Sequence, residues 1–152
     1  MAILAVGTMV DSSLRAVELL QKSGLNPTIV NCRFVKPLDE KLLLQVTESH
    51  QILITIEEGT LVGGFGSAIN DWLTDNCISP IRLRRLGVPD SFIEHGNRDK
   101  LLELVSLDPQ GIAAAIREFV QWEERRSLTV KSPSSAIVTP EEEVEVFPQS
   151  ER

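Results

Sequence analysis

The chain has 152 residues, 42% of them apolar, and a net charge of −7. This length and apolar content are typical of one ordinary domain with a buried core. The acidic balance argues against a nucleic-acid surface, because neutralising phosphates requires clustered Lys and Arg. No apolar run approaches the roughly 20 residues that cross a bilayer, and the first residues lack the charged region and the length of a signal peptide. We therefore expect no nucleic-acid partner and no membrane partner.

Short apolar segments alternate with amphipathic segments along most of the chain. The predicted strands cover residues 3–6, 28–32, 51–56 and 81–86, and helices are predicted before residue 23, at 40–48, 67–75 and 99–105, and after residue 109. The third strand is apolar and rich in β-branched residues, which indicates a central position. This alternation predicts a three-layer, doubly wound, mostly parallel sheet of about five strands.

Several short polar residues stand where helix N-caps are expected. Asp11 or Ser12 can cap the first helix, Asp39 can cap the second, and Asp108 can cap the last, with Pro109 at its first position. Such side chains accept hydrogen bonds from the free N–H groups of the first turn, so they predict where helices begin.

The composition changes near Leu128. Residues 128–152 contain five acidic and two basic side chains, several Ser and Pro residues, and no apolar period. Such a segment cannot bury enough apolar surface to offset the entropy lost on ordering. We expect a domain at 1–127 and a disordered acidic tail at 128–152.

A glycine-bearing loop, residues 59–67, follows the predicted central strand. Backbone N–H groups at the start of the next helix could cradle an anion there. Alternatively, the glycines serve a tight turn and a close approach of helix to sheet. The loop is not a phosphate-binding P-loop, since the Lys-Ser/Thr ending is missing.

Two adjacent carboxylates, Glu57 and Glu58, close the same strand. Neighbouring residues on a strand point to opposite sides, so they are not expected to work as an acid/base pair. We expect one exposed carboxylate and one that accepts hydrogen bonds from loop amides. His95, beside Glu94 in an irregular segment, is a candidate general base, and a free-standing enzyme could use it together with Glu58.

The remaining polar side chains carry weaker signals. Cys32 and Cys77 match no metal-binding spacing, and the default interpretation is a pair of reduced thiols. Six basic residues are candidates for pairing with carboxylates or phosphates: Arg33, Lys36, Arg82, Arg84, Arg85 and Arg98.

Residues 33–39 (RFVKPLD), 54–59 (ITIEEG) and 63–67 (GGFGS) resemble the C-terminal domain of the transketolase-like thiamine-diphosphate enzymes. The β subunits of 2-oxo acid dehydrogenases share this much. Residues 86–96 (LGVPDSFIEHG) and 107–112 (LDPQGI) look specifically like the 1-deoxy-D-xylulose-5-phosphate synthase family. The resemblance covers roughly residues 3–120.

The resemblance implies that the chain is part of a larger transferase. Enzymes of that family join pyruvate to glyceraldehyde 3-phosphate with loss of CO₂, a step of isoprenoid precursor and thiamine biosynthesis. They are homodimers of the cytoplasm, or of the plastid stroma in plastid-bearing organisms. Two preceding domains hold their thiamine diphosphate and magnesium. The family's Gly-Asp-Gly magnesium motif does not occur in this chain, so we expect it to bind no cofactor and to be inactive alone.

The resemblance also implies a supporting role toward the cofactor-binding domains and the homodimer. The residues expected to face these neighbours are Glu57, Glu58, Gly63, Gly64, Phe65, Gly66, Asp90, Phe92 and His95. No catalytic residue is carried over from the family. Two alternatives remain: a stand-alone binding module, and the C-terminal domain of a 2-oxo acid dehydrogenase β subunit.

Overall fold

The computed structural model describes residues 1–129. In this part of the chain, strands and helices alternate in the order β1 (Ala2–Ala5), α1 (Met9–Gln21), β2 (Thr28–Asn31), α2 (Glu40–Ser49), β3 (Ile52–Thr60), α3 (Phe65–Asp75), β4 (Arg82–Val88), α4 (Arg98–Leu104) and α5 (Pro109–Thr129). The four strands are all parallel, in the order β2-β1-β3-β4. The predicted α/β class is confirmed, with four strands in the described residues where about five were expected.

The two central strands, β1 and β3, carry the core. All four residues of β1 are fully buried, as are Leu53, Ile54 and Ile56 of β3. The side chains of Leu4 and Leu53 pack in one cluster with apolar residues of both α2 and α3. These helices therefore cover the same face of the sheet. The connection from β1 to β2 runs toward one edge of the sheet, whereas the connections from β2 to β3 and from β3 to β4 run toward the other edge. Because crossovers between parallel strands are right-handed, α1 lies on the face of the sheet opposite α2 and α3.

The predicted helix starts are confirmed at two of three places. Asp39 accepts a hydrogen bond from the Leu42 N–H at 3.0 Å, and Asp108 accepts from the Gln110 and Gly111 N–H groups at 3.2 Å each. The third prediction, that Asp11 or Ser12 caps α1, was wrong.

Helix α1 begins at Met9, with Thr8 at its N-cap and no capping bond from the Thr8 side chain. The Thr8 hydroxyl donates instead to Glu58. Asp11, one of the two predicted caps, lies inside the first turn and pairs with Arg15 at 2.9 Å. Thr8 thus occupies the N-cap position, but its side chain binds Glu58, which is distant in sequence, and does not cap the helix.

Strand β3 is longer than its apolar run. It continues through Glu57 and Glu58 to Thr60, which pairs with Val88 of β4 after an irregularity in register. The Leu61 N–H also donates to the Val88 carbonyl at 2.9 Å. This pairing carries both glutamates into the sheet and brings the start of α3 forward from the predicted Ser67 to Phe65.

Helix α5 crosses the boundary between two compact units, Met1–Arg117 and a second that begins at Glu118. In the first unit, the Arg117 guanidinium donates to the Leu19 carbonyl at 2.9 Å and to the Ser23 hydroxyl at 3.0 Å. In the second, the Phe119 and Trp122 rings stack with centroids 6.1 Å apart. The predicted tail, apart from its first two residues at the end of α5, lies outside the described residues. Among residues 1–129, no helix has the length and apolarity to cross a bilayer.

Candidate functional site

The chain segments that follow the four strands meet at one side of the parallel sheet. We call this region, formed by residues 6–8, 32–39, 61–64 and 89–97 with the last residues of β3, the carboxyl edge. Ligands of α/β domains bind at this side of the sheet, in the crevice where successive connections turn in opposite directions. Here that crevice lies between β1 and β3, next to both glutamates.

Glu57 caps helix α3 with its carboxylate. One oxygen accepts from the Phe65 N–H at 2.7 Å, and the other accepts from the Gly66 N–H at 2.8 Å. The Glu57 side chain is buried, with 5% exposed. A negative charge is stabilised at a helix N-terminus by the free N–H groups and the helix dipole. The anion at this helix start is therefore supplied by the chain itself.

The loop glycines leave room for this carboxylate. A Cβ on Gly64 would collide with the Thr60 carbonyl and the Glu57 carboxylate, and a Cβ on Gly66 would lie 2.6 Å from the Thr55 hydroxyl. On the neighbouring strand, a Cβ on Gly87 would lie 3.1 Å from the Glu57 Cγ. The geometry favours the packing interpretation of this loop, because an internal carboxylate holds the position that an external anion would need.

Arg85 fixes the other side of the same loop. Its guanidinium donates to the Ser67 hydroxyl at 2.8 Å and to the Leu61 carbonyl at 3.1 Å. The Ser67 hydroxyl in turn donates to the Leu61 carbonyl at 3.0 Å. Arg85, which was a candidate for pairing with a carboxylate or phosphate, thus binds oxygen atoms of the chain's own loop.

Glu58 points to the opposite face of β3 and reaches the segment that follows β1. It accepts a hydrogen bond from the Thr8 hydroxyl at 2.6 Å and two from the Arg98 guanidinium, one of them at 2.8 Å from Nε. Arg98 binding, with a further contribution from Thr8, lowers the pKa of the Glu58 carboxyl below its ordinary value. An anchored, ionised carboxylate is poorly suited to proton transfer near neutral pH.

His95 is not brought to Glu58. It lies exposed in the irregular segment between β4 and α4, whereas the side-chain partners of Glu58 are Arg98 and Thr8. The expected division between the two glutamates agrees with the geometry: Glu57 binds loop amides and Glu58 faces solvent. The structure does not assemble the Glu58 and His95 pair that a free-standing enzyme would use.

Apolar side chains project from the carboxyl edge. Phe92, Phe34 and Val62 are 92%, 69% and 63% exposed, one on each of the segments after β4, β2 and β3. Of the other candidate residues, Gly63 has a positive φ of 72° at the loop turn, and Asp90 is exposed beside Phe92. The carboxyl edge therefore combines polar groups that are hydrogen-bonded within the chain with apolar side chains that are exposed to solvent.

A cavity of about 190 Å³ opens beside the Phe34 segment, at the end of β2. Its lining is mostly apolar and comprises Asn31, Cys32, Arg33, Phe34, Leu38, Asp39, Leu42, Leu43, Phe65 and Ile69. Burial, with a smaller contribution from the Asp39 charge, raises the pKa of the Cys32 thiol to about 11. No sequence pattern indicated this cavity, because its walls come from β2, α2 and α3 together.

Comparison with known proteins defines the class. The family described as "Transketolase, C-terminal domain" matches residues 1–112. The chain belongs to this family, and its α/β fold is the one that the sequence resemblance implied.

Curated relatives specify the resemblance further. The chain is 46% identical over 120 residues to the 1-deoxy-D-xylulose-5-phosphate synthase of Syntrophus aciditrophicus, a match that covers 79% of this chain and 18% of the relative. It is 47% identical over 116 residues to the enzyme of that name from Aquifex aeolicus, covering 76% of this chain and 18% of the relative. The chain thus spans about a fifth of the length of the relatives it matches.

A solved structure supports the same fold. A split-gene transketolase, described as an "inactive beta4 tetramer", superposes with a TM-score of 0.70 at 31% identity. The match covers 77% of this chain and 38% of that chain. The likeness to the transketolase C-terminal fold therefore holds in three dimensions as well as in sequence.

Proposed function

We propose that the chain is the C-terminal domain of a 1-deoxy-D-xylulose-5-phosphate synthase, that it supports the cofactor-binding domains and the homodimer, and that it does not catalyse alone. One observation carries the supporting role. At the carboxyl edge the glutamates are bound by the chain's own donors, while Phe34, Val62 and Phe92 are left exposed. An edge of this kind offers packing surface in place of reactive groups.

The proposed parent enzyme joins pyruvate to glyceraldehyde 3-phosphate and releases CO₂, yielding 1-deoxy-D-xylulose 5-phosphate. Its thiamine diphosphate and Mg²⁺ would be held by domains that precede this one in a cytoplasmic homodimer. The identity of 42% to 47% with relatives named for this synthase supports the choice over a 2-oxo acid dehydrogenase β subunit.

The chain's own residues do not fit that cofactor. The start of α3, where the glycine-bearing loop could have taken a diphosphate, is filled by the Glu57 carboxylate. Among residues 1–129, His, Cys, Asp and Glu side chains form no group of three or more placed to hold a metal. We therefore assign the chain no chemical step and leave cofactor binding to the remainder of the parent enzyme.

The split-gene transketolase is consistent with a domain that needs partners. That protein is described as inactive and as an assembly of its β chain. Inactivity is also the behaviour that we propose for this domain on its own.

A domain exchange tests the assignment. Residues 1–127 would replace the matching segment of the Aquifex aeolicus relative, and turnover of pyruvate with glyceraldehyde 3-phosphate would be measured. We expect a turnover number within about tenfold of the parent, a barrier change of about 1.4 kcal/mol. The isolated chain should show no turnover, and no heat on titration with thiamine diphosphate and Mg²⁺.

Two outcomes would contradict the proposal. A chimera that folds and dimerises but does not turn over would argue against this synthase as the parent. Cofactor binding by the isolated chain would overturn the division of labour. Within the chimera, Phe92→Ala or His95→Ala should weaken dimerisation or activity, whereas Leu14→Ala, at another exposed apolar position, should change neither.

A further inference from the structure

The cavity at the end of β2 is large enough for a small organic molecule. Its volume is about 190 Å³, and its walls include four apolar side chains of α2 and α3, namely Leu42, Leu43, Phe65 and Ile69. An apolar cavity of roughly 150 Å³ is able to bind benzene. The cavity can therefore take a phenyl group or a branched alkyl group.

The rim of the same cavity carries both signs of charge. Of its lining residues, Arg33 and Asp39 are exposed to solvent and oppositely charged, and exposed Asn31 adds a neutral amide that can both donate and accept. Binding pockets for small molecules combine apolar walls with a few polar groups that orient the ligand. The cavity has this composition, with a cation and an anion at its mouth.

Asp39 can accept further hydrogen bonds besides the one that caps α2. Its Oδ1 accepts from the Leu42 N–H at 3.0 Å, whereas the two oxygens of an ionised carboxylate offer about four acceptor positions. The Asp39 charge also reaches the cavity wall, since burial first and this charge second raise the pKa of the Cys32 thiol. A cationic group at the cavity mouth can thus bind this carboxylate.

We propose that the cavity binds a free α-amino acid with an apolar side chain. The ligand's side chain fills the apolar interior, its ammonium group binds Asp39, and its carboxylate binds Arg33, whose planar guanidinium suits a carboxylate. A zwitterion uses both charges of the rim at once. A hydrocarbon would use neither charge, and a simple carboxylate would use only Arg33 and would be repelled by Asp39.

This inference goes beyond the function proposed above. Neither pyruvate nor glyceraldehyde 3-phosphate carries an ammonium group or a large apolar group, so the ligand is an effector and not a substrate of the parent reaction. The competing occupant is an apolar side chain from a neighbouring domain of the parent enzyme. Such a side chain stands on a backbone of neutral amides, and an amino acid blocked at both ends imitates it.

An NMR titration of the ¹⁵N-labelled 152-residue chain with L-phenylalanine tests the proposal. At pH 6 the amino group of the ligand is protonated and its carboxyl group is ionised. We expect a Kd of about 1 mM, as for other ligands of this size, with shifted amide signals at residues 31–33 and 42–43 and unchanged signals in α1. Glycine has both charges but no side chain, and should bind at least about tenfold more weakly.

Blocked forms of phenylalanine separate the two charges of the ligand. The methyl ester keeps only the ammonium group, N-acetylphenylalanine keeps only the carboxylate, and N-acetylphenylalanine amide keeps neither. Each lost charge should weaken binding by about threefold to fivefold, the upper range for solvent-exposed ion pairs. If the doubly blocked amide binds as tightly as phenylalanine, the occupant is a side chain of a neighbouring domain and the proposal is wrong.

Substitutions at the rim test the same contacts from the side of the protein. Asp39→Asn keeps a good N-cap side chain; it should weaken phenylalanine binding by about threefold to fivefold without weakening that of N-acetylphenylalanine. Arg33→Gln should have the same effect on phenylalanine without weakening the methyl ester. The controls are Glu48→Gln and Lys22→Gln, which remove one charge of each sign at exposed positions outside the cavity lining. They should leave every Kd unchanged.

A larger side chain in the cavity tests where the ligand's side chain lies. Leu42 is partly buried and lines the cavity, so Leu42→Phe fills space that the ligand needs. Phenylalanine binding should fall at least about tenfold, the loss expected when an apolar side chain is left exposed. The control is Leu44→Phe, at an exposed position of the same helix, which should change nothing. Circular dichroism of every variant checks that the fold is kept.

Three further results would overturn the inference. These are no binding of phenylalanine at about 20 mM, twenty times the expected Kd, shifted signals that lie away from the cavity, and rim variants that weaken charged and blocked ligands alike. None of these measurements involves thiamine diphosphate or turnover. A chain that binds no amino acid therefore leaves the domain-exchange test unaffected, and an inactive chimera leaves this proposal unaffected.

Discussion

Glu57 shows how one buried residue sets the local structure. Its carboxylate joins the end of β3 to the first turn of α3 through two N–H groups. Hydrogen bonds to a charged group contribute more than neutral ones, and leaving buried donors unpaired is costly. The glycine-bearing loop is therefore organised around this side chain.

We expect Glu57→Gln to lower the free energy of unfolding by about 1.5–3 kcal/mol, because the neutral amide offers one acceptor and turns its NH₂ group toward a backbone donor. Urea denaturation measures the change. Glu48→Gln, at an exposed position in the last turn of α2, is the control and should lie within about 0.5 kcal/mol of the unmodified chain. Equal effects of the two substitutions would contradict the capping role.

Glu58 is expected to respond to pH. Its pKa in the folded state is lowered, chiefly by Arg98, from an ordinary value of 4.5. A lowered pKa means that the stabilisation is fully present above pH 4.5 and is lost as the pH falls through the folded-state value. The unfolding midpoint of the unmodified chain should therefore fall more steeply below pH 4.5 than that of Glu58→Gln. Parallel curves for the two proteins would argue against the ion pair.

At the scale of elements, the start of α3 depends on close approach to β3. Gly66→Ala would place a Cβ 2.6 Å from the Thr55 hydroxyl. Thr55 is buried and its branched side chain is stiff, so we expect a net loss of about 1–2 kcal/mol after the helix-propensity gain of alanine. Gly96→Ala, 3.5 Å from Leu101, should be neutral or stabilising by up to about 1 kcal/mol. Thermal denaturation compares the two.

Local patterns predicted most elements, and long-range pairing explains the failures. Asp39 and Asp108 were predictable as caps because they act within their own first turns. The separation of Glu57 from Glu58 followed from strand alternation. The extension of β3 depends on pairing with β4, and the Glu58 cluster joins residues 50 and 40 positions apart. Apolar periodicity carries no information about such contacts.

On the scale of the whole molecule, the domain is predicted to end before the acidic segment. Deleting residues 130–152 leaves every described element intact, since α5 ends at Thr129. We expect the free energy of unfolding and the denaturant m-value to change little, by less than about 0.5 kcal/mol in the former case. A clear fall in either would mean that these residues contribute to the folded unit, against the prediction of a disordered tail.

The carboxylate of Glu57 also amounts to a ligand that is covalently attached to its own receptor. Removing it by Glu57→Gly would leave the Phe65 and Gly66 N–H groups around a gap the size of a small carboxylate. Formate or acetate should then bind and raise the thermal midpoint of that variant, because a ligand that binds only the folded state stabilises it by RT ln(1 + [L]/Kd). Glu57→Gln, whose side chain still fills the gap, should not respond. One substitution would thus convert a structural cap into a chemically rescuable receptor for small organic acids.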